Sequence, residues 1–258
     1  MIKRKGRLEP IESVHAGSDK SITLSFLTRK GGISPAPFDS LNFFSKEGDS
    51  HENIQYNETV VGKAFGFSPL SLVTLNQVHG NKVILLEKPD KKPLSSLYLN
   101  GDAMITNQRG FALGILTADC LPILINASLK GVIGAVHAGW RGTSLRIVQE
   151  TLITMEKVFD VKVDEVKVAL GPSIGPCCYQ VDDKVLKPMR KNLTEEMVPV
   201  GNRMLDLTRI NHELLLEMGI KKESVECIDL CTSCREDLFF SYRRDGLTGR
   251  QLSFIMLN

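Results

Sequence analysis

The fold is decided by the stretch from residue 131 to 159. It opens Gly131-Val132-Ile133-Gly134-Ala135-Val136-His137-Ala138-Gly139-Trp140-Arg141-Gly142-Thr143 and continues through Leu145, Val148, Leu152, Met155 and Val158. Gly131 to Val136 is a short run of small and β-branched apolar residues, which reads as a buried strand. Beyond Thr143 the apolar residues recur every three or four positions, the spacing that lines one face of a helix. Outward from this unit, Lys82 to Leu86 and Gly110 to Leu116 are further strand-like runs bounded by turn residues. Ser21 to Leu27 alternates like a strand until Arg29-Lys30-Gly31-Gly32 breaks it. Val163 to Leu170 reads as another strand, Arg209 to Glu217 as a helix, and Phe239-Phe240-Ser241-Tyr242 as a core strand. No period decides Met189 to Val200. Two polar, proline-bearing stretches, Glu87 to Pro93 and Lys187 to Gly201, are the soft segments, the first a surface loop and not a domain boundary. Strands and helices in loose alternation predict an α+β (mixed α/β) fold. It is a compact single domain over residues 1–258, with mixed β-sheets flanked by helices and residues 1–20 as a flexible N-terminal extension.

Composition narrows the function. Of 258 residues, 42% are hydrophobic and 24% charged, ordinary values for a globular protein. A chain this long buries enough apolar surface to fold without a staple, so a bound metal would serve chemistry. The net charge of +2 gives no field for nucleic acid or an anionic membrane. Lys3-Arg4-Lys5 with Arg7 is too short a basic cluster to alter that. No apolar run reaches the ~20 residues of a membrane helix, and none near the N-terminus resembles an export signal. The six cysteines then read as thiols and not as a disulfide frame, and the expected compartment is the cytoplasm. A monomer is expected, for want of a self-complementary patch.

Three segments pair reactive residues with chain reversals. Gln77-Val78-His79-Gly80 places a histidine before a glycine turn. Thr117-Ala118-Asp119-Cys120-Leu121-Pro122 places an acid and a thiol at the end of an apolar run. Val136-His137-Ala138-Gly139-Trp140-Arg141-Gly142 places a histidine at another strand end, followed by the only tryptophan and an arginine. Strand ends converge in space while lying far apart in sequence. Two imidazoles and a thiolate would suit a catalytic zinc, which uses three protein ligands and keeps a fourth position open. Asp119 or a backbone carbonyl could orient a ligand from behind. The spacing admits other readings: satisfied polar histidines, a buried small cysteine, or Cys120 as nucleophile with His137 or His79 as its base.

The remaining thiols compete for a role. Cys177-Cys178 and Cys231-Thr232-Ser233-Cys234 could form a structural four-thiolate zinc site. An adjacent pair facing a C-x-x-C is poor knuckle geometry, so free thiols, Cys227 among them, are the expectation. Arg29, Arg141 and Arg243 stand near glycine turns, where a guanidinium fork could hold phosphate; ordinary surface pairing is the alternative. Trp140 could stack on a planar base or simply pack its loop.

At this point the chain resembles the YfiH-like family, also called laccase-domain or polyphenol oxidase proteins. The resemblance is carried by Thr28-Arg29-Lys30-Gly31-Gly32-Ile33-Ser34, Ser40-Leu41-Asn42, Asn76-Gln77-Val78-His79-Gly80 and Ala118-Asp119-Cys120-Leu121-Pro122. His137 to Gly142, Gly171-Pro172-Ser173-Ile174-Gly175, Phe240-Ser241-Tyr242-Arg243-Arg244 and Thr248-Gly249-Arg250 continue it to the C-terminus. Each motif is moderately specific, and together they are strong. The resemblance implies a YfiH-like fold with His79, Cys120 and His137 as zinc ligands. It implies a purine nucleoside phosphorylase acting on adenosine, inosine, guanosine or methylthioadenosine with phosphate, and adenosine deaminase activity alongside. Asp119 and Arg141 are the catalytic candidates, and Arg29 and Arg243 the candidates for phosphate. Some members resemble hydrolases that edit a peptidoglycan precursor carrying the wrong amino acid. The copper oxidase label suits this chain least, since only His15, His51 and His212 remain for a trinuclear copper cluster. Copper in a two-histidine, one-cysteine site is the weaker cofactor alternative.

Overall fold

The computed structural model describes residues 2–17, 21–46, 48–87, 99–198, 201 and 203–258. Two sheets carry the fold. The smaller has four strands in the order β1-β10-β5-β2: β1 Ile22–Phe26, β2 Leu72–Val73, β5 Ala112–Thr117 and β10 Gln251–Leu257. The larger has six in the order β3-β4-β7-β6-β8-β9. These are β3 Val83–Leu85, β4 Ala103–Thr106, β6 Leu121–Ala127, β7 Val132–Ala138, β8 Lys167–Leu170 and β9 Val225–Cys227. Both sheets mix parallel and antiparallel pairs.

The alternation along β7 explains why the sheets stack. Val132, Val136 and Ala138 join the cluster formed with the helices, while Ile133 and Ala135 join the cluster between the two sheets. In β6, Ile123 and Ile125 take the helix side and Leu124 the sheet side. Successive side chains of a strand point to opposite faces, so a strand buried on both sides reads as a continuous apolar run. The helix side is covered by α4 Ile147–Phe159, α5 Asp183–Asn192 and α6 Leu207–Glu217. Beyond the small sheet, α2 His51–Phe65 packs Val61 and Phe65 against Ala112, Leu252 and Phe254. Each fully buried Ile or Leu contributes about 1.5–3 kcal/mol of transfer free energy, so these apolar layers dominate stability.

The helix expected after Thr143 is two. α3 Trp140–Ser144 ends where Arg146 takes a left-handed φ of 58°, and α4 restarts at Ile147. The break leaves Leu145 outside α4, while Val158 falls in the last turn of α4 on its outer side. Leu145 and Val158, expected inside, are exposed, while Ile147, Val148, Leu152 and Met155 are buried. Arg146 is held by Glu217 at 2.9 Å and Gln149 at 3.1 Å, which pins the break against α6.

Three other expectations are corrected. Residues 2–17 pack on the domain instead of standing off it. Ile2 bridges Ile11, Ile11 bridges Phe26, Leu8 and Ile11 are buried, and Ser13 hydrogen-bonds Glu226 before the short helix α1 Val14–Gly17. Phe239 and Phe240 are buried but join no ladder. The Phe240 amide donates to the Gln251 side chain, and Ser241 caps α7 Tyr242–Asp245. The soft stretch from Lys187 begins helical, inside α5, which the Asp182 side chain caps. The loop expected at Glu87 to Pro93 lies, after Glu87, outside the described residues.

Candidate metal centre

One side chain arranges the first donor pair. Asp102, fully buried just before β4, accepts from His137 Nδ1 at 2.8 Å, from the His79 amide at 2.9 Å and from the Gly80 amide at 2.7 Å. His79 has a left-handed φ of 60°, which lets successive amides turn toward one carboxylate. Burial alone would raise the Asp102 carboxyl. The hydrogen bonds from His137 and from the Gly80 and His79 amides hold it below the usual range instead. With Nδ1 committed to Asp102, His137 presents Nε2 to the site, the arrangement in which a carboxylate fixes a ligating imidazole.

Cys120 enters from the neighbouring strand. It immediately precedes β6, whose Pro122 pairs with His137 of β7. Asp119, at φ 93°, turns the chain so that Cys120 faces inward, and both of its oxygens are occupied at 2.7 Å, by the Thr232 hydroxyl and the Arg243 amide. Donor atoms of His79, Cys120 and His137 all lie within 4.8 Å of one another, and the two imidazoles stand edge to face at 4.8 Å. Burial would raise the Cys120 thiol and lower His137. Their mutual attraction overturns both tendencies, bringing the thiol well below its ordinary value and the imidazole well above its own. A thiol whose charged form is favoured in this way suits a cation, because the thiolate is the form that ligates metal.

The group passes a further test of fit. A Cβ on Gly139 would lie 3.0 Å from Cys120 Sγ and 3.2 Å from a His79 ring carbon. The backbone thus leaves the space before the three donors clear of side chains at this position. Two nitrogens and one sulfur match the N/S preference of zinc, and three donors leave a coordination position free.

Residues 23–258 match the family described as multi-copper polyphenol oxidoreductase laccase. The chain belongs to this family. Among laccase-family relatives, purine nucleoside phosphorylase YlmD of Geobacillus stearothermophilus is 35% identical over 239 residues, spanning 88% of this chain and 87% of the relative. A purine nucleoside phosphorylase of Bacteroides thetaiotaomicron is 34% identical over 242 residues, 90% of each chain. The crystal structure of Geobacillus stearothermophilus YlmD superposes with a TM-score of 0.90 at 32% identity, covering 100% of this chain and 98% of that one. The two mixed sheets flanked by helices are therefore the fold of solved laccase-family members.

Among the described residues, His79–Cys120–His137 and Cys177–Cys178–Cys231–Cys234 are the groups of three or more metal-binding side chains. His15, His51 and His212 sit apart, in α1, α2 and α6.

The arginines separate in role. Arg29 is spent on its own loop: Nε donates to the Asp39 carbonyl at 2.7 Å, Nη2 pairs with the Asp39 carboxylate at 3.2 Å, and the fork stacks on Phe240. Arg243 donates from Nη1 to the Gln180 carbonyl at 2.8 Å and lies over the Tyr179 ring, while Arg141 lies over Trp140. Tyr179 ties these parts together. Burial raises its phenol most, the Cys120 and Asp119 charges add to that, and Arg243 and Arg141 oppose them. Sequence reading missed Asp102 and Tyr179. Asp102 is a lone acid between Gly101 and the apolar Ala103 to Ile105, with no spacing to mark it, and Tyr179 had no signal beyond its place next to Cys178.

Proposed function

We propose that the chain is a zinc-dependent purine nucleoside phosphorylase that splits adenosine and related nucleosides with phosphate, and that it also deaminates adenosine. The observation that carries this reading is the convergence of His79, Cys120 and His137 donor atoms within 4.8 Å, braced by Asp102. Its support in kinship is the set of relatives named purine nucleoside phosphorylase at 34–35% identity. Zinc held there would supply Lewis acidity and a bound water of lowered pKa.

The chain's own groups do the positioning. His137 is kept in one tautomer by Asp102, so its Nε2 is the donor atom in every turnover. Arg141 is exposed, its guanidinium lies 4.2 Å from the Trp140 ring, and it pairs with no carboxylate among the described residues; it is the better candidate for phosphate. Arg243 keeps Nη1 on backbone carbonyls and offers its remaining fork beside Tyr179. Arg29, paired with Asp39, is the weakest of the three. Asp119, with both oxygens engaged, serves as a brace for Cys120 and Arg243 in preference to a proton shuttle.

The test is a product assay on protein of known zinc content, with adenosine plus phosphate and a matched sample lacking phosphate. Adenine and ribose-1-phosphate should form only with phosphate, and inosine should form in both. Zinc-loaded protein that yields none of these sinks the reading and favours the hydrolase of a peptidoglycan precursor.

A further inference from the structure

The second thiol cluster lies outside the metal centre. Cys177 and Cys178 follow β8 on a turn closed by the Cys178 amide on the Gly175 carbonyl at 3.0 Å. Cys231 and Cys234 lie on the segment between β9 and α7. Sγ of Cys234 is 3.5 Å from Sγ of Cys177 and 3.4 Å from Sγ of Cys178, and all four sulfurs fall within 4.8 Å of one another. No pair is bonded. Around a tetrahedral zinc with Zn–S of ~2.3 Å, sulfurs stand about 3.8 Å apart, so the cluster already has nearly the size of a zinc tetrathiolate.

The backbone is arranged for sulfur that carries charge. The Gly175 amide donates to Cys231 Sγ at 3.2 Å, and a Cβ on Gly175 would meet Cys177 Sγ at 3.3 Å and Cys231 Cβ at 3.4 Å. Glycine there lets the two segments close on the sulfurs. The adjacent pair, poor knuckle geometry on sequence grounds, works because the 176–178 turn swings both sulfurs toward Cys234. Residues 171–182 and 228–241 hold no named helix or strand, and they meet through the Ser173–Cys231 bridge and the Thr232 amide on the Ser173 carbonyl. Long irregular segments of this kind need a fastener or a function.

We infer that Cys177, Cys178, Cys231 and Cys234 form a second, structural metal site that binds one zinc ion through four thiolates. Zinc enters as Zn²⁺ and the thiols leave their protons to water, with no change of oxidation state. The site clamps the segments that support the metal centre. Thr232, between two of these ligands, holds Asp119, and Arg243 donates to the Cys178 carbonyl while its amide holds Asp119 from the other side. The four thiolates close the coordination shell, so this zinc would act by holding the loops.

The experiment is metal analysis of the full chain purified under reducing conditions without chelator, beside His79→Ala and Cys178→Ser/Cys234→Ser. Two zinc ions per wild-type chain, and one in each variant, are expected. The His79→Ala chain, loaded with cobalt, should show the intense visible bands of a tetrahedral cobalt tetrathiolate, and zinc should protect four of its thiols from alkylation. That chain is inactive under the proposed function, so the readout stands whether or not phosphorolysis is found. A His79→Ala chain with no zinc, no tetrathiolate spectrum and four freely alkylated thiols overturns the inference. So does a disulfide among these cysteines, found by mass spectrometry of protein trapped in the cell. Should Cys178→Ser/Cys234→Ser fail to fold, the His79→Ala measurements alone decide the matter.

Discussion

The two donor clusters differ in nearly every respect that chemistry could use. His79, Cys120 and His137 sit at the ends of two central strands and on one braced turn, with His137 buried and its ring fixed by a buried carboxylate. Cys177, Cys178, Cys231 and Cys234 sit on two irregular segments, with Cys177 and Cys234 exposed and a backbone amide directed at sulfur. Three mixed donors on a rigid sheet leave room for a substrate; four like donors on loops leave none. The contrast teaches that a site's role can be read from donor count and from what supports the donors, before any ion is seen.

The largest effect separates the clusters outright. Cys120→Ala or His79→Ala should remove one zinc equivalent and lower phosphorolysis by roughly 10³-fold or more, since metal catalysis supplies several kcal/mol. Thermal stability should change far less, because the apolar layers carry the fold. Loss of activity with both zinc ions retained would break the comparison.

Asp102→Asn comes next. The amide keeps the shape but cannot accept from Nδ1 and from the two backbone amides as the carboxylate does, so zinc affinity at the first site should fall about 10- to 100-fold. Competition with a colorimetric chelator reads this directly, and the tetrathiolate bands of the cobalt-loaded second site should be unchanged.

Thr232→Val tests the link between the two. It removes the hydroxyl that holds Asp119 at 2.7 Å and leaves a buried acceptor short of a partner, at a cost on the order of 1–3 kcal/mol. A drop in melting temperature of a few degrees should accompany a modest loss of kcat. An unaltered kcat would mean that the clusters are independent.

The smallest effect comes from outside both. Burial raises the Glu58 carboxyl from 4.5 to about 7. The folded state therefore holds this proton where the unfolded chain has lost it. Stability from this group is present below pH 4.5, declines as pH rises toward about 7, and is flat beyond. Glu58→Gln should raise the melting temperature slightly at pH 8, leave it nearly unchanged at pH 4, and leave both metals in place. Thermal melts at the two pH values check it.

Much of the first site was legible because its residues end apolar runs. His137 ends the run that begins at Val132, and Cys120 follows the apolar run that ends at Leu116. Asp102 was not legible, since a single acid before Ala103 has no spacing to mark it. Nor was α2, which buries few apolar residues, Ile54 and Val61 among them, and so shows little of a helical stripe. Phe239 and Phe240 imitated a strand because burial alone, and not pairing, selects their side chains. The convergence of the four thiols was hidden for a different reason: it depends on two turns separated by more than fifty residues, which no local motif encodes.

The pairing of Pro122 with His137 has a consequence in time. Cys120 and His137 belong to one antiparallel hairpin, β6–β7, whose strands reverse at 128–131. Short loops close at small entropic cost and local contacts form early, while contacts between distant segments come later. During folding, two of the three donors can thus be side by side while His79 is still elsewhere. A metal ion present at that stage would find a half-built seat on the hairpin, and the arrival of the 77–80 turn on Asp102 would complete it.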